Sequence, residues 1–346
     1  MSTLQQIADL AGVSLNTASR VLSGRIKGVR RDAVERSEMI LKIAQDLNYR
    51  PNTSAKAIRC GRFGGIALLL STTPSRSHVP AGLLEGIESV LLPHDLHLTF
   101  TRLPDDSLTQ QGMVPKILRQ SMTDGMLVNY THHIPGKMVK LIENEKVPSV
   151  WLNTKRPRDC VRPDDLGAAR DATERLLALG HRRIAYVDLS STDHASKTCH
   201  YSVADRLAGY SAAMEAGGLP RQILAEDRDV LPMERIGIAG EFLKRPNHPT
   251  AIVAYAPYTA LPVLLAAATI CGLKVPKDLS IVTFSDVTDD RAGLALSSML
   301  IPTSEIGSMA TEMLLQKIAS PKSSFAEKAV GFAEGEGDTI APPATD

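Results

Sequence analysis

The residues best suited to chemistry lie on one side of a short predicted helix near the start of the chain. In the stretch GVSLNTASRVLSG, Gly12 to Gly24, the side chains of Leu15, Asn16 and Arg20 fall on a common side at helical spacing. The opposite side is apolar and consists of Ala18, Val21 and Leu22. An amide and a guanidinium on an exposed face can hydrogen-bond to a polar partner, while the apolar side packs inward.

Two short helices joined by a tight turn position these side chains. Thr3 and Gln6 have the spacing of a capping box, so a first helix begins there, and Gly12 ends it. Ser14 is a good N-cap for a second helix that runs to about Leu22. This arrangement is a helix-turn-helix, in which the second helix enters the DNA major groove, where every base pair displays a different donor and acceptor pattern.

The helix-turn-helix interpretation divides the candidate contacts into two kinds. Base edges face Leu15, Asn16 and Arg20, and phosphate oxygens suit the short hydroxyl side chains. Those hydroxyls belong to Thr3, Ser14, Thr17 and Ser19. A third helix is expected to pack across the first two through Val34, Met39, Ile40, Ile43, Ala44 and Leu47.

The net charge of +1 conceals an uneven distribution. Residues 1–62 contain 11 Lys and Arg against five acidic residues, whereas the rest of the chain has 28 basic and 33 acidic residues. A basic N-terminal unit on a mildly acidic body indicates a polyanion partner for the first unit only. Charge alone leaves open the alternative of a solvated basic surface.

Composition excludes several classes of protein. No apolar run approaches the length of a membrane span, and the N-terminus lacks the basic region of a signal peptide, so a cytoplasmic protein is expected. The four cysteines are far apart and form no Cys-x-x-Cys pair. The histidine pairs, His132 with His133 and His94 with His97, lack a third ligand. No metal or cofactor is expected, and no nucleophile elbow, P-loop or dinucleotide fingerprint indicates an enzyme.

From Gly65 onward, short apolar runs alternate with helical patterns, which predicts parallel sheets covered on both faces. The predicted strands are residues 65–70, 96–100, 125–129, 149–153, 184–188, 251–255 and 280–284, and the predicted helices include 83–92, 168–179, 203–216 and 260–271. Ligands of such sheets bind beyond the carboxyl ends of the strands. The residues at those ends are Ser71, Asn129, Asn153, Asp188, Tyr255, Ser285 and Asp286.

Longer motifs resemble a known family. The segments TLQQIADLAGVSLNTASRVLSG and LNYRPNTSAKAIRCGRFGGIALLL, followed by GHRRIAYVD, ADRLAGY, GLKVPKDLSIVTFSD and EGDTIAPP, resemble the LacI/GalR family of bacterial transcription regulators over essentially the whole chain. The resemblance implies that Leu15, Asn16 and Arg20 read bases. It also implies a hinge helix from Asn52 to Arg59 in the minor groove.

The hinge region carries further DNA-binding positions by this resemblance. They are Tyr49, Asn52, Lys56 and Ile58. The family's usual wedge residue is leucine, and this chain has the β-branched Ile58. The segment from Gly24 to Leu47 is also about three residues longer than the family pattern, and it contains Arg30 and Arg31.

For the body of the chain, the resemblance implies two doubly wound subdomains that clamp a small-molecule effector. The effector-binding positions carried over are His78, Val79, Leu83, Asn129, Asn153, Arg206, Tyr255 and Asp286. Arg206 matches an arginine that binds effector hydroxyls or carboxylates. Ser285 stands where the family usually has an aspartate, and Ala256-Pro257 replaces an Asn-Asp pair. A sugar or sugar derivative is the expected effector.

These inferences predict an α/β protein with an all-α DNA-binding domain. The predicted ranges are a helix-turn-helix domain at 1–50, a hinge at 51–62 and an effector domain at 63–346, whose subdomains are roughly 63–160 plus 291–320 and 161–290 plus 321–340. The predicted function is a homodimeric repressor of operator DNA switched by a carbohydrate. The alternatives are a sugar receptor without a DNA-binding role and an enzyme on a doubly wound sheet. The ending AEGEGDTIAPPATD contains no leucine heptad, so a dimer is expected rather than a tetramer.

Overall fold

The fold is that of a computed structural model with two compact units, Met1–Phe63 and Gly64–Asp346. The structure describes residues 3–24, 31–49, 62–73, 76–103, 123–131, 134–144, 146–190, 199–226, 228, 230–287 and 295–344. Each unit has its own apolar core.

The first unit contains three helices, α1 (Leu4–Leu10), α2 (Leu15–Leu22) and α3 (Arg31–Asp46). The predicted capping box is confirmed, because the Thr3 hydroxyl accepts from the Gln6 backbone and the Gln6 side chain accepts from the Thr3 backbone. The backbone of Gly12 has a φ of 63°, the left-handed conformation that glycine adopts without strain. The turn that separates α1 from α2 therefore depends on this glycine.

The core of the three helices consists of Ile7, Ala8, Ala18, Val21, Ile40 and Ala44. The prediction that Val34 and Met39 pack there is wrong, since these side chains are 41% and 51% exposed. At about 100° per residue, both lie roughly 100–120° around α3 from Ile40, so they leave the face that carries Ile40 and Ala44. Ile43 and Leu47 do pack against the core.

The second unit contains two six-stranded sheets. The first sheet has the order β11-β5-β4-β3-β1-β2, and every pairing in it is parallel. Its strands are β1 (Gly65–Ser71), β2 (His97–Leu103), β3 (Gly125–Asn129), β4 (Ser149–Leu152), β5 (Cys160–Pro163) and β11 (Lys328–Val330). The predicted parallel α/β architecture is confirmed for this half.

The second sheet has the order β12-β10-β9-β8-β6-β7 and is parallel except for the pair β10–β12. Its strands are β6 (Ile184–Asp188), β7 (Gln222–Ala225), β8 (Ala251–Ala254), β9 (Ser280–Ser285), β10 (Ser297–Leu300) and β12 (Ala333–Gly335). Strands β6, β8 and β9 are buried along their whole length, as expected of a sheet covered on both faces.

Helices cover the faces of both sheets. Their bounds are α4 (Ala81–Leu91), α5 (Gly136–Asn144), α6 (Asp165–Ala178), α7 (Tyr201–Ala216), α8 (Arg235–Leu243), α9 (Pro257–Ala266) and α10 (Thr303–Ala319). The pair α4 and α10 packs on one face of the first sheet, and α5 packs on the other. The pairs α6 with α7 and α8 with α9 cover the two faces of the second sheet. Among the described residues, no helix combines the length and apolar character needed to cross a membrane.

Within the described residues, the chain passes between the two sheets at three places. These are the segments 163–165, 300–303 and 330–333. The strands therefore differ from the predicted subdomain boundaries at three points. Strand β5 extends past residue 160 in the first sheet, β10 pairs with β9 in the second sheet, and β11 pairs with β5 in the first.

All seven predicted strands are present, two of them with the predicted bounds and the others with ends shifted by up to three residues. Five further strands of the described chain were not predicted: β5, β7, β10, β11 and β12. Each has only three or four residues, and sequences such as CVRP and SSML contain polar residues or proline. Such segments lack the apolar run by which buried strands are recognised.

Close packing of α6 against α7 depends on Gly209. A Cβ atom at this position would clash with the backbone carbonyl oxygen of Leu166 and approach the Cβ atom of Ala169 to 2.9 Å. The contact holds the first turn of α6 beside the middle of α7. Asp165 and Arg206, which lie at these two places, are thereby brought together.

We predict that Gly209→Ala lowers the free energy of unfolding by about 1–3 kcal/mol, because two backbones must separate to admit one methyl group. Gly237→Ala in α8 is the matched control, since a Cβ atom there has open space within 4 Å. The control should be neutral or more stable by up to about 1 kcal/mol through helix propensity. Urea unfolding of both variants measures the difference, and equal stabilities would contradict the close-packing argument.

Candidate functional site

One face of α2 is left exposed by the packing of the first unit. Leu15, Asn16 and Arg20 are exposed, whereas Thr17 and Ser19 are half-buried. Leu15 is 45% exposed although it is apolar. The exposed face carries the side chains that the sequence interpretation assigned to base edges.

Two of the candidate phosphate contacts cap helices in the structure. Thr3 caps α1 as described, and Ser14 Oγ accepts the Thr17 backbone N–H at 3.1 Å and lies 2.8 Å from Thr17 Oγ1. A cap uses hydroxyl lone pairs, and the contact between the Ser14 and Thr17 hydroxyls uses one of their two hydrogens, so the hydrogens of Thr3 and of one member of that pair remain for phosphate oxygens. Tyr49 is half-buried and packs against the core of the three helices. The other predicted DNA contacts, Asn52, Lys56 and Ile58, lie outside the described residues, as does the predicted hinge helix.

The second unit contains a cavity of about 460 Å³ between the carboxyl ends of its two sheets. Its size falls within the usual range of small-molecule sites, roughly 300–1,000 Å³. Seven of the eight predicted effector residues line it: His78, Leu83, Asn129, Asn153, Arg206, Tyr255 and Asp286. Val79 does not line it and packs instead against the apolar core beside α4. Ser71 and Asp188 also lie outside the lining.

The strongest electrostatic contact of the cavity joins Arg206 to Asp165. Both side chains are buried, with 6% and 0% of their surface exposed. Arg206 Nε and Nη2 lie 2.8 Å and 2.7 Å from the same oxygen, Asp165 Oδ1, and Arg206 Nη1 donates to the Tyr255 carbonyl oxygen. The guanidinium carbon also lies 4.5 Å from the ring centre of Phe284 and 4.9 Å from that of Tyr255. The guanidinium of Arg206 is therefore held by polar contacts along its edges and by aromatic rings against its planar faces.

A chain of hydrogen bonds joins the two halves of the cavity. The Tyr255 hydroxyl is 2.9 Å from Ser202 Oγ, which is 2.7 Å from His200 Nδ1, and His200 Nε2 is 3.0 Å from the Asn153 carbonyl oxygen. Because a carbonyl only accepts, Nε2 carries the hydrogen, so the other bonds run from Tyr255 to Ser202 to His200. Burial lowers the pKa of His200, which favours this neutral ring. Burial also raises the pKa of Tyr255 and keeps its hydroxyl protonated.

A second contact crosses the cavity at its exposed edge. His78, between β1 and α4, has its Nε2 atom 3.1 Å from Oδ2 of Asp286, which follows β9. The hydrogen bond to Asp286 raises the pKa of His78 above its ordinary value, against a smaller opposite effect of burial. The two sheets are thus linked by a pair whose histidine has a raised pKa.

Two acceptor atoms of the cavity lining remain unpaired among the described residues. Asn129 donates through Nδ2 to the His78 carbonyl oxygen at 2.6 Å, but its Oδ1 accepts no hydrogen bond. Asp165 Oδ2 is likewise buried and has no hydrogen-bond partner by distance and angle, although the neighbouring Tyr201 hydroxyl interacts with this carboxylate. The nearby Tyr201 hydroxyl lies 3.2 Å from Asn153 Oδ1, and burial together with Asp165 raises its pKa well above the ordinary value. Buried unpaired acceptors are costly unless a ligand or water supplies the donors.

Sequence reasoning missed several residues of this lining, among them Asp165, His200, Ser202, Tyr258 and Phe284. Asp165 follows β5 by two positions. The rule that sites lie beyond strand carboxyl ends would have found it, but β5 itself was not predicted. His200 and Ser202 lie at the start of α7, where no strand end points to them. Among the described residues, no cluster of three side chains is suited to hold a metal ion.

The comparison with protein families decides the identity of the two units. Residues 3–52 match the family described as "Bacterial regulatory proteins, lacI family", and residues 173–330 match the "Periplasmic binding protein-like domain". The chain belongs to the lacI family of bacterial regulatory proteins. As such it is a DNA-binding transcription regulator and not an enzyme. This result replaces the alternative of a sugar receptor without a DNA-binding role.

Similar proteins match nearly the whole length of this lacI-family chain. The HTH-type transcriptional regulator DegA of Bacillus subtilis is 28% identical over 317 residues, which cover 88% of both chains. The ribose operon repressor of Haemophilus influenzae is 26% identical over 332 residues and 94% of both chains. The crystal structure of the lac repressor dimer bound to operator and the anti-inducer ONPF has a TM-score of 0.76 at 20% identity and covers 98% of this chain and 99% of its own. The likeness to that structure concerns the fold.

We predict that the His78 imidazole titrates above 6.5 and that Asp286→Asn returns its pKa toward that value. A raised pKa means that the contact across the cavity is strongest below 6.5 and is lost as the pH rises through the raised value. The effect is modest, because the His78 side chain is 69% exposed and water screens the pair. An NMR pH titration of both proteins measures it, and identical His78 curves would show that the contact is absent in solution.

Proposed function

We propose that this lacI-family protein is a homodimeric repressor whose affinity for operator DNA is switched by a carbohydrate. The exposed face of α2 reads the operator, and the cavity between the two sheets binds the effector. Because its target is bacterial DNA, the protein acts in the cytoplasm.

The observation that carries the proposal is the arrangement of the cavity. Asn129 ends a strand of the first sheet and Arg206 lies on α7, which covers the second sheet, so a molecule bound in the space that both line contacts both halves at once. A ligand that prefers one separation of the halves shifts the protein toward that conformation. The three chain segments that connect the halves can act as hinges for such a change.

Carbohydrate binding is supported by the mixture of groups in the lining. The side chains of Asn129, Asp165 and Arg206 offer hydrogen-bond acceptors and donors, and the rings of Tyr255, Tyr258 and Phe284 offer apolar faces. Sugars present hydroxyl groups on their edges and C–H groups on their faces, so they complement both. The relative from Haemophilus influenzae is named a ribose operon repressor, which agrees with repression and with a sugar.

Dimerisation is supported by an exposed apolar face on α9. Leu261 and Leu265 recur at helical spacing and are 37% and 47% exposed. A second copy of this chain is the proposed partner, because two-fold dimers match the two half-sites of an operator. The related lac repressor was crystallised as a dimer on its operator.

We predict that Asn16→Ala weakens binding to the operator by about 1–3 kcal/mol while binding to random duplex DNA stays nearly unchanged. The operator is first isolated by selecting tight-binding sequences from genomic DNA with the wild-type protein. Gln45→Ala on exposed α3 serves as a control and should bind both DNAs as the wild type does. Equal losses of Asn16→Ala on the two DNAs would show that Asn16 does not read bases.

We also predict that a carbohydrate changes the operator affinity of the wild-type protein by roughly 5- to 150-fold, the usual range of coupling between two sites. Sugars that raise the melting temperature are titrated into a fluorescence-anisotropy assay on the selected operator. Asn16→Ala should keep the melting response, because the cavity belongs to the other unit. A sugar that binds without any change in operator affinity would contradict the proposed switch.

A further inference from the structure

The contact between Arg206 and Asp165 bears on which class of ligand the cavity can bind. An arginine in a sugar site is suited to bind phosphate or carboxylate in a bidentate manner. In this protein, the edge of Arg206 that carries Nε and Nη2 already faces Asp165 Oδ1 at 2.8 Å and 2.7 Å. The arginine edge that an anion would need is therefore occupied by the protein's own carboxylate.

The rest of Arg206 is also committed. Nη1 donates to the Tyr255 carbonyl oxygen, and the rings of Tyr255 and Phe284 lie over the guanidinium. Nε and Nη1 each donate one hydrogen bond, and Nη2 is held in the ion pair with Asp165, so each Nη atom keeps at least one hydrogen. Single hydrogens suffice to donate to a hydroxyl oxygen, but their charge is already balanced by Asp165.

The other titratable groups of the lining give an anion no better partner. They are His78, Asp286, His200, Tyr255 and Tyr258, and burial raises the pKa of both tyrosines, so that their hydroxyls stay neutral. His78 faces Asp286 at 3.1 Å, so its positive charge is also matched by a carboxylate. His200 is buried, and its two ring nitrogens are hydrogen-bonded to Ser202 and to the Asn153 carbonyl. An incoming phosphate or carboxylate would meet two carboxylates, each already paired with the cation next to it.

The unpaired atoms of the cavity require donors. Asn129 Oδ1 on the first sheet's side and Asp165 Oδ2 on the second sheet's side are both acceptors. A deprotonated acid group cannot donate to such atoms, whereas a hydroxyl group, which neutral and charged sugars both carry, can. Filling one atom on each side also requires a ligand with donors at both ends.

We propose that the effector is an uncharged polyol, a free sugar and not a sugar phosphate or sugar acid, and that Asp165 excludes the acids by neutralising Arg206. The remaining Arg206 hydrogens donate to hydroxyl oxygens of the ligand, and its hydroxyl groups face the Asn129 and Asp165 side chains. This inference rests on the carbohydrate effector of the proposed function and narrows its chemical class.

Matched pairs of sugars test the ligand class on the wild-type protein. The pairs are D-ribose with ribose 5-phosphate, D-glucose with glucose 6-phosphate, and D-galactose with D-galacturonate. Thermal shift identifies each pair that binds, and titration calorimetry then gives both dissociation constants. The charged member should bind at least about tenfold more weakly than its neutral partner, because it places a negative charge beside carboxylates.

Asp165→Asn tests the residue. It keeps the shape of the side chain and frees the charge of Arg206, so the affinity ratio of acid to neutral sugar should rise by at least about tenfold. Asp205→Asn is the matched control, since Asp205 lies on the same helix as Arg206 but pairs with Lys155 at 3.0 Å and does not line the cavity. The ratio of this control should equal that of the wild type. Circular dichroism establishes whether each variant is folded. If Asp165→Asn does not fold, the sugar pairs measured on the wild-type protein still decide the ligand class.

The outcomes separate this inference from the proposed function. A charged member that binds as tightly as its neutral partner overturns the inference and leaves the carbohydrate switch in place. An unchanged ratio in folded Asp165→Asn overturns the role of Asp165. A wild-type protein that responds to no sugar of any pair contradicts the carbohydrate effector itself, and the inference fails with it.

Discussion

The buried contact between Arg206 and Asp165 is the interaction on which the effector unit depends. Removing one partner of such a pair leaves an uncompensated buried charge, which costs roughly 3–5 kcal/mol. The contact needs α6 and α7 to approach closely, and the absence of a side chain at Gly209 permits that approach. Through the Tyr255 carbonyl, the same guanidinium also fixes the end of β8. The packing of α6 on α7, the position of the end of β8 and the groups offered to a ligand therefore all depend on the Arg206 side chain.

Much of the fold could be predicted from the sequence because its local patterns are strong. Thr3, Gly12 and Ser14 mark the ends of two helices by local hydrogen bonds and backbone conformation, and the structure confirms these ends. The long strands were predicted from another local pattern, their uninterrupted runs of apolar residues. Val34 and Met39 were misassigned because an apolar residue indicates burial only when its angle around the helix agrees. Short strands such as β10 exist through pairing with neighbours that are distant in sequence, and no local pattern records that pairing.

The residues of the candidate site also divide into those that local patterns predict and those that depend on contacts between distant parts of the chain. Asn129 and Asp286 follow long apolar strands, so the strand-end rule located them in a cavity that they do line. Val79 was carried over by resemblance, yet its side chain packs into the core one position away from His78, which does line the cavity. The pairing of Asp165 with Arg206 joins residues 41 positions apart. Sequence reasoning identified the arginine but not the carboxylate that changes what the arginine can bind.

The last two strands have a consequence for how the molecule is made. Strand β11 forms an edge of the first sheet and β12 an edge of the second, although only residues 331 and 332 separate them. Helix α10, which covers the first sheet, also follows β10 of the second. The first sheet is thus complete only after synthesis has passed residue 330, and the second only after residue 335. On the ribosome, the two halves must finish folding together, and a nascent chain stopped at Ala319 would lack an edge strand in each.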